Sequence, residues 1–204
     1  MEFSRGVKDN YQKNHQALKN IIDRLNQHFE ISAEVQKKLT EFIVQINPKK
    51  GTLLLQGGEI CQHIYFFEKG FARGFFYKNG KEITSWFALE NDVATSLYSF
   101  ETQTPNFENI EILEDSTLYA ISHKNLQYLY HRYAEFNLLG RRLVEKYYIE
   151  LMERTLSFQF QTARERYLQL LTNRPQILQR ASLGHIASYL GISQETLSRI
   201  RTKI

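Results

Sequence analysis

The order of apolar and polar positions divides the chain into three textures. Over residues 15–29, Leu18, Ile21, Ile22, Leu25 and Phe29 fall at helical spacing, after a polar, aperiodic start. A second short helix is predicted from Ser32, placed as its N-cap, to about Phe42, before Pro48 and Gly51 break the pattern. Residues 52–122 change to short apolar and aromatic runs closed by turn residues. Leu53, Leu54 and Leu55 stop at Gly57-Gly58, the run from Ile64 stops at Lys69-Gly70, and the run from Phe71 stops at Asn79-Gly80. Asn-Gly between two such runs predicts a tight hairpin, because a type I′ turn needs positive φ at both central residues. After a polar stretch over residues 91–109, residues 110–121 predict one or two further strands. Many short strands with regular turns point to a sandwich or barrel.

From His123 onward the pattern is helical again, and no glycine- or proline-rich linker intervenes. Residues 133–160 contain no proline and one glycine, Gly140, which predicts one long helix. Within it Val144, Tyr147, Leu151 and Phe158 suggest a seam of seven-residue spacing, interrupted by Arg154. Such a helix can bury the seam against its copy in a dimer, or pack it on its own barrel.

Composition narrows the class. The 204 residues hold one large domain and one small one, and 14 Phe with 12 Tyr favour β structure. No run reaches the roughly 20 apolar residues of a membrane span, and the N-terminus lacks the apolar stretch of a signal peptide. One cysteine, Cys61, allows no internal disulfide and no four-cysteine cluster, so a cytoplasmic location is expected. Residues 1–130 carry 14 Lys/Arg against 16 Asp/Glu, whereas residues 131–204 carry 12 against 6. The basic surplus at the C-terminal end suggests a polyanionic partner there.

Residues 182–204 supply the motif that this charge needs. Ala187 is small where two helices must cross closely, Gly191 offers the positive φ that ends a first helix, and Ser193 is placed to cap a second. Ile186, Leu190, Ile192, Leu197 and Ile200 form the shared core beneath. Gln194, Glu195, Ser198, Arg199 and Lys203 then lie on the outer face. This is the spacing of a DNA-binding helix-turn-helix.

The segment from Gly191 to Ile200, Gly-Ile-Ser-Gln-Glu-Thr-Leu-Ser-Arg-Ile, resembles the recognition helix of the Crp/Fnr family of bacterial transcription regulators. Leu55-Gln-Gly-Gly-Glu59 and Ile64-Tyr-Phe-Phe-Glu-Lys-Gly70 resemble that family's early strand pair and turn glycine. The resemblance runs from about Ile31 and implies an α+β chain. Residues 1–130 would form an antiparallel β-roll or jelly-roll sensor domain of the cyclic-nucleotide-binding type, with N-terminal helices. Residues 131–160 would form the dimerisation helix and residues 161–204 a winged-helix-like reader. By resemblance, Gln194, Glu195 and Arg199 contact bases, with Arg199 donating to guanine and Glu195 accepting from a cytosine amine. Ser182, Ser193 and Thr196 touch the DNA backbone, and Arg201 and Lys203 add charge there. Double-stranded DNA, a second copy of the chain, RNA polymerase and an unidentified small-molecule effector are the partners implied.

Two departures stand out. Leu183 occupies a basic phosphate-contacting position of the family, and the sequence stops at Ile204, so little or no wing is expected. The sensor departs further. The family's cassette pairs Gly-Glu with an Arg and a small hydroxyl residue to clamp ribose and phosphate. Residues 90–110 contain no glycine, arginine or lysine, and carry Glu90, Asp92, Glu101 and Glu108. This argues against a cyclic nucleotide, and no cofactor is expected. Thr95, Ser96, Tyr98 and Ser99 could line a pocket for another ligand or form a packed loop.

No metal site is expected. His63, His123 and His131 stand apart, and the strand region offers His63 alone where a metal-dependent jelly-roll enzyme needs clustered ligands. Catalysis is not expected. The competing reading is a ligand-binding or protein-interaction regulatory module whose helical hairpin does not meet DNA.

Overall fold

The computed structural model describes residues 32–203; the helix expected over residues 15–29 lies outside them. Helix α1 (Ala33–Phe42) starts at Ser32, whose hydroxyl accepts the Val35 amide, and buries Val35 and Leu39. Eight strands follow: β1 (Val44–Ile46), β2 (Leu53–Leu55), β3 (His63–Lys69), β4 (Ala72–Lys78), β5 (Lys81–Ala88), β6 (Val93–Ala94), β7 (Asn109–Ile112) and β8 (Thr117–Ser122). A short helix α2 (Leu97–Thr102) lies between β6 and β7.

The strands form two antiparallel four-stranded sheets, ordered β1-β8-β3-β6 and β2-β7-β4-β5. Asn79 and Gly80 both take positive φ, 53° and 75°, and turn β4 into β5 as their sequence predicts. Leu55, Ile110 and Ile121 pack in one core cluster and Phe67, Ile112 and Leu118 in a second. At Gly74 an added Cβ would stand 2.1 Å from the indole of Trp86, so the glycine makes room for the ring.

The second half is helical: α3 (His123–Arg132), α4 (Ala134–Phe160), α5 (Ala163–Asn173), α6 (Pro175–Arg180), α7 (Leu183–Leu190) and α8 (Gln194–Arg201). Tyr133, in extended backbone, separates α3 from the 27-residue α4. One side of α4 sits on the roll through Phe136, Leu139 and Gly140, where Tyr130 packs directly on the glycine. Further along the helix Val144, Tyr148, Ile149, Leu151, Met152 and Leu156 are exposed, with Leu151 59% accessible. Helix α4 therefore carries a second set of apolar side chains, which no other described residue covers. Among the described residues no helix is long and apolar enough to cross a membrane.

Helices α5 to α8 wrap around Tyr167, Leu170, Ile177, Ile186, Ala187, Leu190 and Leu197. This core is continuous with Phe71, Phe87 and Leu89 of the roll. Phe71 stacks on Phe87 at 5.4 Å between centroids, and Phe87 meets Tyr189 of α7 at 5.2 Å. The helical unit is thus seated on the β2-β7-β4-β5 sheet.

Candidate nucleic-acid interface

The corner between α7 and α8 is built from three local devices. Ser182 caps α7 by accepting the His185 amide at 3.2 Å. Gly191 ends α7 at φ 68°, a left-handed conformation that suits glycine, with Phe158 packed so close that a Cβ would lie 2.8 Å from its ring. Ser193 opens α8 by accepting the Thr196 amide at 3.2 Å. Arg166 of α5 holds the corner from behind: its Nε and Nη2 donate to the Leu190 carbonyl at 3.2 and 3.1 Å.

Leu197 is fully buried and anchors α8, with Ile192 and Ile200 half-buried beside it. The other side of the helix faces solvent. Gln194, Glu195, Ser198, Arg199, Arg201 and Lys203 are all exposed, as are Ser182 and Ser193 at the two caps. Thr196 differs, being half-buried with its hydroxyl 3.0 Å from that of Ser193, so it serves the cap before any external contact. The Gln194 amide folds back over Gly184, its Nε2 3.0 Å from where a Cβ would be. Leu183 is exposed at the start of α7. What results is an exposed polar ridge carrying donors, one carboxylate and three cations, the group types that pair with base edges and phosphates in general.

The suggested seam on α4 needs correction at Tyr147. That side chain turns toward the roll, is half-buried, and its hydroxyl accepts the Val93 amide at 2.8 Å. Burial and nearby Asp92 push its phenol pKa up. Phe158, though partly exposed, lies against Arg154, Arg166 and Gly191 of its own chain. Val144 and Leu151 remain on the open face, where Tyr148, Met152 and Leu156 join them at helical spacing.

The hydroxyl-rich stretch runs from a loop into α2, and the hydroxyls of Thr95, Ser96 and Ser99 are bonded within the chain. Thr95 donates to the His63 carbonyl at 3.0 Å; buried Ser96 accepts from the Asn106 amide at 3.1 Å. Buried Ser99 donates to the Thr104 carbonyl at 2.6 Å and accepts the Cys61 amide at 2.9 Å. Tyr98 lines an open cleft of about 940 Å³ shared with Gln56, Tyr77 and Phe107. Glu108 is engaged as well, accepting from the Trp86 indole at 2.8 Å and from Ser85 at 3.1 Å. Among the described residues no group of His, Cys, Asp or Glu is arranged to hold a metal.

Residues that no motif marked form the junction between the two halves. Arg180 forks onto two carboxylates, donating from Nε and Nη2 to Glu114 at 2.7–3.2 Å and from Nη1 and Nη2 to Glu90 at 2.7 and 2.9 Å. Arg174 pairs with Asp92. The acidic turn after β5, which has no cation nearby in sequence, thus receives two from helices more than eighty positions away. Burial opposes ionisation of Glu90, yet the Arg180 bonds and the Gly70 amide bring its carboxyl down to about 2.

Residues 45–133 match the cyclic nucleotide-binding domain. A search among curated proteins found no match. Among solved structures the chain is similar to a putative transcriptional regulator of the Crp/Fnr family from Eubacterium rectale, at 17% identity over 83% of this chain and 82% of that one, TM-score 0.66. It is similar to FixK2 from Bradyrhizobium japonicum, at 20% identity over 79% and 83%, TM-score 0.65. It is also similar to the c-di-GMP-responsive global regulator CLP of Xanthomonas campestris, at 15% identity over 84% and 91%, TM-score 0.67. The chain therefore has the fold of the Crp/Fnr regulators, with a cyclic-nucleotide-binding-type domain at residues 45–133.

Proposed function

We propose that this protein is a sequence-specific, DNA-binding transcription regulator that acts as a homodimer, without catalytic activity. The observation that carries the reading is the arrangement of α8: Leu197 is sunk in the core while Gln194, Glu195, Ser198 and Arg199 stand exposed together. A hairpin kept only for packing has no use for that set on one open face. The exposed apolar side of α4 supports a dimer, in which two copies bury Val144, Tyr148, Leu151 and Met152 against each other. Two recognition helices about 34 Å apart would then enter successive major grooves of a near-palindromic site.

The residues present speak against a cyclic nucleotide as this regulator's effector. Ser96, Asn106 and Glu108 are spent on bonds within the sensor, and no arginine or lysine lies within residues 90–110 to meet a phosphate. Selection of bound sequences from random double-stranded DNA tests the central reading. An inverted repeat is the expected product, with affinity falling steeply as salt rises. Recovery of no enriched sequence at low salt would defeat it.

A further inference from the structure

Beside the shared apolar core, where Phe87 meets Tyr189, the reader makes polar contacts to the sensor from three of its helices. Arg174 at the end of α5 pairs with Asp92, Arg180 at the end of α6 holds Glu90 and Glu114, and Ser188 in α7 bridges the backbone of β5. The covalent link is slight by comparison. Between α4 and α5 only Gln161 and Thr162 are non-helical, both in extended backbone.

Leverage follows from where these contacts sit. Asp92 precedes Val93, whose amide is bound by Tyr147 of α4. Tyr147 lies about 14 residues before Gln161, which at 1.5 Å per residue is on the order of 20 Å along the helix from the link. A swing of about 10° around that link displaces such a contact by roughly 3 Å, more than a hydrogen bond tolerates. The start of α8 lies beside the link, with Gly191 against Phe158, so the same swing turns a recognition helix more than it shifts it. Two heads so turned fit a differently spaced pair of half-sites, which stand ~34 Å apart at 10 base pairs.

Arg180 suits this task better than a lysine would. Its planar guanidinium meets two carboxylates edge-on and lies over the Phe71 ring, 5.1 Å from the centroid. Planarity makes the contact sensitive to angle as well as distance.

Resting on the reading of the chain as a dimeric DNA-binding regulator, we infer that the Arg180 clamp on Glu90 and Glu114 sets the operator spacing the dimer accepts. Arg180 is a positioning residue: it touches no base, and it fixes the angle at which each recognition helix is presented.

The experiment is selection from a library in which one half-site sequence is held and the spacer varies base pair by base pair. The full chain is compared with Arg180→Gln, Arg180→Lys and the sensor-side double variant Glu90→Gln/Glu114→Gln, which leaves the reader's own sequence intact. The parent is expected to penalise a one-base-pair change of spacer by about tenfold, a coupling of ordinary size. The Gln variants should flatten that penalty to within about threefold while selecting the same half-site bases. Arg180→Lys should fall between them. Unchanged spacer preference in the sensor-side variant overturns the inference even though DNA binding stands. A parent that enriches no half-site at all overturns the DNA-binding reading itself, and the inference with it.

Discussion

The Ser188 hydroxyl closes the open edge of β5: it accepts the Thr84 amide at 2.9 Å and donates to the Glu82 carbonyl at 3.1 Å. A helix of the reader thereby satisfies backbone groups that an edge strand otherwise leaves unpaired. Ser188→Ala is expected to cost about 1 kcal/mol in denaturant unfolding, the ordinary net worth of such bonds. Hydrogen exchange at the Thr84 amide should quicken. If that amide exchanges at the parent rate, the reader does not sit on β5 in solution.

Arg199 carries the clearest test of base readout. Replacing it with alanine should lower operator affinity by about 1–3 kcal/mol and relax preference at one base pair per half-site. Lys203→Ala should instead weaken all sequences alike and reduce the salt dependence. Full affinity and selectivity in the Arg199 variant would remove α8 from the interface.

Two residues on α4 should separate association from folding. Leu151→Glu places a charge on the exposed apolar face and should shift the protein toward monomer in sedimentation velocity, with little change in helicity. Tyr147→Phe loses the bond to Val93 and should cost about 1 kcal/mol of stability without dissociating the dimer. The opposite pattern would return Tyr147 to the seam.

Trp86, the chain's single tryptophan, reports on the sensor interior. Gly74→Ala forces a methyl into its ring and should destabilise the roll by about 1–3 kcal/mol, with a change in fluorescence. An unaltered emission spectrum and midpoint would show that the ring does not rest on Gly74.

Acid should loosen the junction through Glu90. Its carboxyl is held near 2 in the folded chain, below the ordinary value of 4.5, so its contribution is complete above about pH 4.5 and is lost as pH falls toward 2. Thermal unfolding from pH 5 to pH 3 should show a smaller loss in Glu90→Gln than in the parent. Equal slopes would mean that the pair with Arg180 does not form.

Much of this protein was legible in one dimension because its decisive signals are local. Asn79-Gly80 specifies a hairpin through the φ that those residues tolerate, and Ser182, Gly191 and Ser193 specify a helical corner through caps reaching two or three residues. The Thr162–Glu165 capping box is equally local, and its T-x-x-E spacing was there to be read as the start of α5. Strand β6 and helix α2 are hard to see in the polar stretch after Asn91, since each is short and sends only one apolar side chain, Ala94 or Phe100, fully into the core, too few to set a period.

The β-rich front, the long helix and the corner that exposes Gln194, Glu195 and Arg199 thus follow from the order of residues alone, for each rests on backbone preference and apolar period. Packing in three dimensions adds that Tyr147 turns inward, that Thr95, Ser96 and Ser99 bond within the chain, and that Arg174 and Arg180 cross to Asp92, Glu90 and Glu114. The Tyr147 bond and the Arg174 and Arg180 pairs join residues 54 to 90 positions apart and leave no trace in spacing. They exist because two separately stable surfaces meet, and their meeting is a property of the packed molecule.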